Sequence, residues 1–169
     1  FSNAVVYRDL TSYTQKYSVT GYLSRLNLTY DNKYYLSASF RRDGSSRFHP
    51  DNRWGNFGSV GVSWRIKEEN FLKDVTFIDN LKLKASIGSQ GNDNLLYSDG
   101  VNSNYIPYLD QYEITNNDGN VSIKQTYVGN KDISWEKSLN SNIGVEARLF
   151  NRLNLSVEYF TKKTTDMLF

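Results

Sequence analysis

The sequence predicts an all-β fold, an antiparallel up-and-down segment of a β-barrel that crosses a membrane. Six runs of the 169-residue chain alternate polar and apolar residues, which places one set of side chains on each face of a strand. The connections between these runs are alternately short and long, which suits a wall between two different aqueous compartments. Several runs also reach the roughly 9–11 residues that a tilted strand needs to cross a bilayer. Because about eight strands are the fewest that close a membrane barrel, we expect six strands of a larger barrel.

The first three predicted strands cover roughly 17–30, 34–42 and 57–66. The second shows the alternation most clearly, with Leu36 and Ala38 on one face and Ser37 on the other. Residues 31–33 form a compact turn, because Asp, Asn and Lys there tolerate left-handed or side-chain-bonded conformations. Residues 43–56 are rich in Gly, Ser, Asn and Arg and predict a longer polar loop.

The remaining predicted strands cover roughly 81–89, 135–149 and 153–163. Residues 67–74 contain good helix formers and predict a turn of helix before the fourth strand. Residues 90–134 form a very long connection between the fourth and fifth strands, and its pieces 105–114 and 120–126 could pair as a hairpin. A tight turn at 150–152 joins the last two strands.

Composition narrows the classes of function. The chain has no cysteine, which excludes a disulfide framework, a thiolate metal site and a cysteine nucleophile. A net charge of +2 with scattered basic residues gives no indication of nucleic-acid binding. No apolar run is long enough for a transmembrane helix. The mean hydropathy of -0.60 is compatible with a membrane barrel, in which only every second strand residue faces lipid.

Loop length predicts the sidedness of the wall. Outer-membrane barrels keep short turns in the periplasm and long loops outside. The connections 31–33, 67–80 and 151–152 would then be periplasmic, and 43–56 and 90–134 extracellular. Aromatic residues at the short-turn ends would form an interfacial girdle; they are Tyr30, Tyr34, Trp64 and Phe150. A soluble β-sandwich also alternates and aromatic residues favour ordinary strands, but strand length and the polarity of the second face favour the barrel.

Candidate ligand contacts come from the polar face and from the long connection. On a lumen-lining face, the candidates are Arg25, Ser37, Arg41, Lys82, Lys84, Asn140 and Glu146. Four tyrosines in the long connection could stack on sugar rings or contact a peptide; they are Tyr97, Tyr105, Tyr108 and Tyr112. Packing within the loop is an equal alternative for these tyrosines.

Four arginines lie at the outer end of predicted strands two and three: Arg41, Arg42, Arg47 and Arg53. They could contact an anionic ligand or lipid head groups. Bracing of the loop through bidentate pairs with Asp43 and Asp51 is the favoured interpretation.

No catalytic, cofactor-binding or metal site is predicted, and the chain does not read as an enzyme. His49 is the single histidine and is expected as a solvated loop residue, and Glu68 and Glu69 as a helix start or solvent-facing pair. Asp93 and Asn94, like the run 116–119, could supply oxygens to calcium, but turn formation is favoured. No Gly-x-Ser-x-Gly or comparable nucleophile setting is present.

A series of segments carries a family resemblance. They cover 34–48, 52–55, 62–72, 81–88, 91–94, 133–138, 142–146 and 155–168. The most specific is Arg-Arg-Asp-Gly-Ser-Ser-Arg-Phe at 41–48. In order and approximate spacing the set resembles the SusC/RagA-like TonB-dependent outer-membrane transporters of Bacteroidetes, over nearly the whole chain beyond Tyr17.

The resemblance implies that residues 1–169 are a C-terminal-half portion of a 22-stranded barrel, without its N-terminal plug domain and remaining strands. It further implies import of a glycan or peptide nutrient across the Gram-negative outer membrane. The implied partners are a SusD-like surface lipoprotein, the TonB–ExbB–ExbD complex acting through the plug, and outer-membrane lipid, but no nucleic acid. The alternative is a small adhesive or structural β-sheet protein of the cell envelope with no transport role.

Overall fold

Six long strands form one antiparallel sheet in the computed structural model, which describes residues 14, 16–97, 102–117 and 120–168. The strands are β1 (Val19–Tyr30), β2 (Tyr34–Ser45), β3 (Trp54–Arg65), β4 (Ile78–Asn92), β7 (Glu136–Leu149) and β8 (Leu153–Thr165). Their spatial order is β1-β2-β3-β4-β7-β8, and β1 and β8 are the open edges of the sheet. The strands β5 (Gln111–Asn117) and β6 (Asn120–Tyr127) form a separate hairpin within the long connection. The predicted all-β, up-and-down architecture is confirmed.

Strands β2, β3, β4 and β8 extend further toward the long loops than the sequence pattern predicts, whereas β1 and β7 begin slightly later than predicted. β2 continues to Ser45 and β3 begins at Trp54, so that the predicted loop 43–56 shrinks to 46–53. The reason is continuous strand pairing, since Gly44 still faces Trp54 across the two strands. β4 likewise continues to Asn92, paired with β7, although its last residues are polar.

Two other predicted elements differ from the structure. The predicted helix at 67–74 is a 3-10 turn at Ile66–Glu68 followed by further turns. The Lys67 ammonium donates to the carbonyl oxygens of Leu72 and Val75 at 2.9 and 2.7 Å, which wraps the backbone around it and prevents a regular helix. The hairpin starts at Gln111 instead of 105, because 107–109 form a turn that contains Pro107.

The register places apolar residues of all six strands in continuous rows on one face. One row consists of Leu28, Leu36, Val62, Ala85, Ile143 and Tyr159. The adjacent row consists of Tyr30, Tyr34, Trp64, Leu83, Val145 and Val157. Many of these side chains are exposed, Leu28 at 51% and Tyr159 at 69%. We call this surface the apolar face; so large an exposed apolar patch indicates an interaction surface.

The opposite surface, here called the polar face, carries the alternating residues of the same strands. Its central row consists of Asn27, Ser37, Gly61, Ser86, Asn142 and Phe160, of which only the last is apolar. Side-chain contacts between neighbouring strands support this assignment, since the Ser39 and Ser59 hydroxyl oxygens are 2.7 Å apart. The sheet therefore has one apolar face and one polar face.

The strands end at two opposite sides of the sheet, here called the short-turn edge and the long-loop edge, and these sides differ in the connections they carry. The short-turn edge carries 31–33, 66–77 and 150–152, and the long-loop edge carries 46–53 and 93–135. The predicted turns at 31–33 and 150–152 are confirmed, with positive φ at Asp31, Asn32 and Asn151. Phe150 also has a φ of 53°, an uncommon value for a bulky residue. The Phe150 backbone N–H donates to the Phe77 carbonyl at 2.9 Å and the two rings stack, which holds this conformation.

The buried core is small and lies at the long-loop edge. Phe48, Phe57 and Trp135 are each at most 5% exposed. The Trp135 ring lies 5.5 Å from Phe48 and 5.4 Å from Phe57, and its indole N–H donates to the Arg53 carbonyl at 2.8 Å. This cluster fixes the loop after β2 to the start of β7. Among the described residues no helix has the length and apolar character to cross a membrane.

Candidate functional site

An ion-pair cluster lies on the polar face near the middle of the sheet. The Lys84 ammonium on β4 is 3.0 Å from a Glu146 oxygen on β7 and 3.4 Å from a Glu158 oxygen on β8. Lys82, two residues along β4, faces Glu146 in the strand register. The structure therefore brings together the predicted candidates Lys82, Lys84 and Glu146. Positive and negative groups alternate across this patch, which suits binding of a polar solute.

A second group of predicted candidates lines a concavity of about 870 Å³ on the polar face, closer to the long loops. Arg25, Arg41 and Asn140 contribute to its wall, as does Ser37. The Arg41 guanidinium is committed to Asp43, with Nε 2.6 Å from a carboxylate oxygen. Arg25 and Asn140 remain as the hydrogen-bonding candidates of this wall, and they lie in one row of the register, on β1 and β7.

At the long-loop edge a buried arginine joins two loops. Arg47 is 6% exposed, and its guanidinium carbon lies 4.6 Å from the Tyr17 ring centre and 5.0 Å from that of Tyr105. The same guanidinium donates to the Asp93 carbonyl and to the Asn94 side-chain oxygen, both at 2.9 Å. Cation–π and charged hydrogen bonds of this kind are strong when shielded from water.

Asp93 anchors the same loop junction from the other side. One of its carboxylate oxygens accepts from the Tyr17 hydroxyl at 2.7 Å and from the Ser45 hydroxyl at 2.6 Å. Partial burial, followed by this hydrogen bond to Asp93, raises the pKa of Tyr17, so its hydroxyl remains a donor at neutral pH. The favoured turn at Asp93 and Asn94 is not formed, and the two residues instead brace the loop junction, a role that the sequence pattern did not show.

The arginine cluster splits into separate environments. Arg41 pairs with Asp43 as predicted. The predicted pair with Asp51 is wrong, because Asp51 instead lies 3.2 Å from the His49 ring nitrogen. Arg42 points to the apolar face and lies over the Trp54 ring at 5.2 Å. The Arg53 carbonyl accepts from Trp135, as described above.

The four candidate tyrosines divide between loop packing and exposure. Tyr105 covers Arg47, and Tyr108 packs edge-on against His49 at 5.9 Å. Tyr97 donates to the Gln111 side chain at 2.8 Å. Tyr112 lies on β5 and is 56% exposed. Of the predicted stacking residues, Tyr112 is therefore the one that the loop contacts leave accessible.

The single histidine and the two glutamates also have defined contacts. His49 was expected as a solvated residue, but its contacts with Tyr108 and Asp51 hold it half-buried. Glu69 accepts from the Tyr34 hydroxyl at 2.6 Å and from the Trp64 indole at 3.1 Å, whereas the sequence predicted a helix start or a solvated group. The Tyr34 hydrogen bond is the main reason that the pKa of Glu69 lies below its usual value.

No metal-binding geometry is present in the part of the chain that the structure describes, where no three His, Cys, Asp or Glu side chains come together. The predicted oxygen donors at 116–119 include 118 and 119, which lie outside the described residues. The residues that sequence reasoning missed at the long-loop edge are Tyr17, Ser45 and Trp135. The sequence did hold a signal for this junction, because two of the motif segments, 41–48 and 91–94, contain residues that contact each other here.

The family model and the relatives found by sequence comparison are all TonB-dependent receptors. The family model described as TonB dependent receptor-like, beta-barrel, matches residues 2–169. TonB-dependent receptor SusC of Bacteroides thetaiotaomicron is 34% identical over 169 residues, which cover 95% of this chain and 16% of SusC. TonB-dependent receptor P39 of Formosa agariphila is 35% identical over 179 residues, which cover 100% of this chain and 16% of P39.

Solved structures agree with the sequence relatives. The RagAB peptide transporter superposes with a TM-score of 0.79 at 31% identity, over 89% of this chain and 16% of that chain. The RagAB peptide importer in its open-open state superposes with a TM-score of 0.73 at 30% identity, over 88% of this chain and 16% of that chain. The chain thus spans about 16% of the length of the curated relatives and solved structures named here.

Proposed function

The chain belongs to the TonB dependent receptor-like β-barrel family, and on this premise we propose that it forms part of the wall of an outer-membrane nutrient importer. The observation that carries the proposal is the separation of one sheet into an apolar and a polar face. In an ordinary soluble sheet the exposed rows of Leu, Val, Ile and aromatic residues would need a second layer. In a membrane barrel they face lipid, and no second layer is required.

The polar face then lines the lumen. Lys84 with Glu146 and Glu158 forms a charged patch on it, and Arg25 and Asn140 lie above this patch toward the long loops. We assign substrate contacts to the predicted set of Arg25, Arg41, Lys82, Lys84, Tyr105, Tyr108, Tyr112, Asn140 and Glu146. Within this set Tyr105, Tyr108 and Arg41 act mainly by shaping the loops, because their polar or aromatic groups already have partners.

The short-turn edge faces the periplasm and the long-loop edge the exterior in this proposal. Tyr34 packs between Tyr30 and Trp64, with ring centres 6.2 Å apart in both pairs, and it stacks on the Trp64 ring. Trp and Tyr prefer the boundary between lipid and water. The row supports the predicted aromatic girdle on the periplasmic side. In this proposal residues 1–169 are a portion of one barrel domain, and the plug domain and further strands belong to the full-length receptor.

A SusD-like surface lipoprotein is the proposed partner at the long-loop edge. The β5–β6 hairpin bears an apolar surface that nothing in the described chain covers: Ile114 is 68% exposed, Ile123 67% and Val121 64%. Ile114 faces Ile123 across the two strands, so these side chains form one patch. A two-stranded hairpin is marginal alone, and a partner that covers this patch would stabilise it.

The proposed activity is energised transport and not catalysis. The TonB–ExbB–ExbD complex would supply energy through the plug, and the substrate class is a glycan or a peptide. The RagAB peptide transporter is a structural relative that supports the peptide class, whereas the glycan class rests on the family resemblance alone. Family membership removes the support for the alternative of a small adhesive or structural envelope protein.

A matched pair of lysine substitutions on β7 tests the proposal in the full-length receptor. Ile143 lies on the apolar face and its neighbour Asn142 on the polar face. On a gel, a folded barrel migrates faster before heating than after it. A lysine that faces lipid at the bilayer midplane costs about 2–4 kcal/mol. We therefore expect Ile143→Lys to abolish the fast-migrating folded form. Asn142→Lys keeps that form, because its side chain faces water.

Uptake completes the test of the proposed function. Cells that produce the wild-type receptor are expected to accumulate fluorescent oligosaccharides or oligopeptides, and to stop when TonB is depleted. Equal migration of both lysine variants, or uptake that is indifferent to TonB, would rule out an energised barrel importer.

A further inference from the structure

The charged residues of the apolar face are distributed unevenly. Apart from Asp79 in the β4 bulge, the strand alternation places three charged side chains on this face, and all are cations: Arg42, Lys137 and Lys163. All three are exposed and lie at the long-loop end of their strands. Asp79 lies at the opposite end, where its carboxylate accepts from the Asn151 backbone N–H.

These cations differ from the charged groups of the polar face in lacking anionic partners. On the polar face Lys84 pairs with two glutamates and Arg41 pairs with Asp43. Among the ion pairs of the described residues, none includes Arg42, Lys137 or Lys163. A rim with unpaired cations and no acid beside them is complementary to an anionic surface.

An aromatic platform orients Arg42 at this rim. Its guanidinium lies over the Trp54 ring at 5.2 Å, and Tyr22 stacks on the same indole at 6.1 Å. Stacking leaves the edge of the guanidinium free, and that planar edge matches two oxygens of a phosphate. Trp and Tyr are also the side chains that accumulate at the level of lipid head groups.

From this arrangement we propose that Arg42, Lys137 and Lys163 bind the phosphate groups of anionic lipid in the outer leaflet. The inference rests on the proposed function, which assigns the apolar face to lipid and the long-loop edge to the exterior. Arg42 on β2 and Lys137 on β7 are three strands apart, about 14 Å at about 4.8 Å per strand. Lys137 and Lys163 lie on adjacent strands. The rim therefore provides two head-group sites, one at Arg42 and one at the lysine pair.

Native mass spectrometry of the full-length receptor in detergent tests this inference, with monophosphoryl lipid A as the probe. The test variant is R42Q/K137Q/K163Q. The control is K162Q, since Lys162 precedes Lys163 but faces the polar side, opposite Asn140. About 1 kcal/mol per basic side chain near an anionic lipid corresponds to about a fivefold loss of retained lipid for each cation removed.

The expected result is lipid retention by the wild type and by K162Q, a marked loss in the triple variant, and weak retention of dephosphorylated lipid A by all three. Equal retention by the triple variant and the wild type, or equal retention of the dephosphorylated lipid, would overturn the inference. The gel-mobility shift on heating is recorded for each preparation. A shift that persists while the lipid result fails refutes this inference alone, whereas a wild type without the shift refutes the proposed function and this inference with it.

Discussion

Arg47, in the loop after β2, donates a hydrogen bond to the backbone carbonyl of Asp93, in the connection after β4, at 2.9 Å. The contact joins two sequence motifs that are separated by two strands. It also explains why an arginine in a polar loop is 6% exposed. The junction sets the position from which the long connection and its hairpin leave the sheet.

Replacing this arginine tests how strongly the junction holds the loops. Arg47→Lys keeps the charge but removes the planar guanidinium, which lies over the Tyr17 and Tyr105 rings and directs one nitrogen, Nη1, at the acceptors of both Asp93 and Asn94. The expected loss is about 1–3 kcal/mol of local stability. Faster hydrogen exchange at 93–97 and 102–105 is the measurement. Arg152→Lys, at the exposed short-turn edge, is the control, and equal exchange in both variants would contradict the assignment.

A glycine beside the small core offers a packing test. A Cβ on Gly91 would lie against three carbons of the Phe57 ring, closer than van der Waals contact permits. Gly91→Ala is therefore expected to reduce the free energy of unfolding by about 1–3 kcal/mol. In Gly61→Ala the Cβ meets the Ser37 hydroxyl at 2.9 Å, and that side chain can rotate away. Denaturant unfolding of the two receptors in detergent should separate them; a stable Gly91→Ala would show that the Phe57 ring is not fixed.

The turn after β3 is expected to loosen in acid. Hydrogen bonding from Tyr34 lowers the pKa of Glu69 in the folded protein. The ionised carboxylate thus stabilises the turn above the unfolded pKa of about 4.3, and the contribution disappears as the pH falls through the lower folded pKa. The protection of amides 66–75, taken as their exchange rate relative to an unstructured chain at the same pH, should fall over that range in the wild type. Glu69→Gln should remove the pH dependence and Glu68→Gln should retain it; the reverse pattern would disprove the role of Glu69.

The hairpin supplies a test of the proposed lipoprotein contact. Ile123→Glu places a carboxylate in the patch formed with Ile114, and burying it against a partner is unfavourable. We expect about a tenfold loss or more of co-purified SusD-like lipoprotein, which corresponds to about 1.4 kcal/mol. Lys124→Glu, on the opposite face of β6, should co-purify normally. Retention of the lipoprotein by Ile123→Glu would place the interface elsewhere.

Strand periodicity predicted the sheet well because it is a local property. Tyr34 to Phe40 alternates by residue type alone, and the tight turns are indicated by Asp and Asn residues, which tolerate a left-handed backbone: Asp31, Asn32 and Asn151. The ends of β2 and β4 were predicted too short, because these strands continue with residues such as Gly44 and Asn92 whose types do not favour strands. Pairing with a neighbour decides their conformation, and the sequence of one strand does not contain that information.

The candidate site was predictable where it depends on strand alternation and unpredictable where loops meet. Alternation placed Lys82, Lys84, Asn140 and Glu146 on one face, and the register then joined Lys84 to Glu146. By contrast, the contact between Arg47 and Asp93 spans 46 positions and depends on how two loops fold over the same strand ends. For the arginine cluster the sequence suggested Asp43 and Asp51 as partners; Asp43 does pair with Arg41, but Arg47 finds its acceptors in the other loop and Asp51 lies beside His49.

Cysteine accessibility across the sheet tests the central claim most directly. The chain has no cysteine, so single substitutions can be probed one by one in a receptor background without other cysteines. In intact membranes a water-soluble maleimide is expected to label Ser37→Cys and Glu146→Cys on the polar face and to leave Leu36→Cys and Val145→Cys on the apolar face unlabelled. Labelling of all four positions, or of the apolar pair alone, would contradict a barrel wall with one face in lipid and the other in a water-filled lumen.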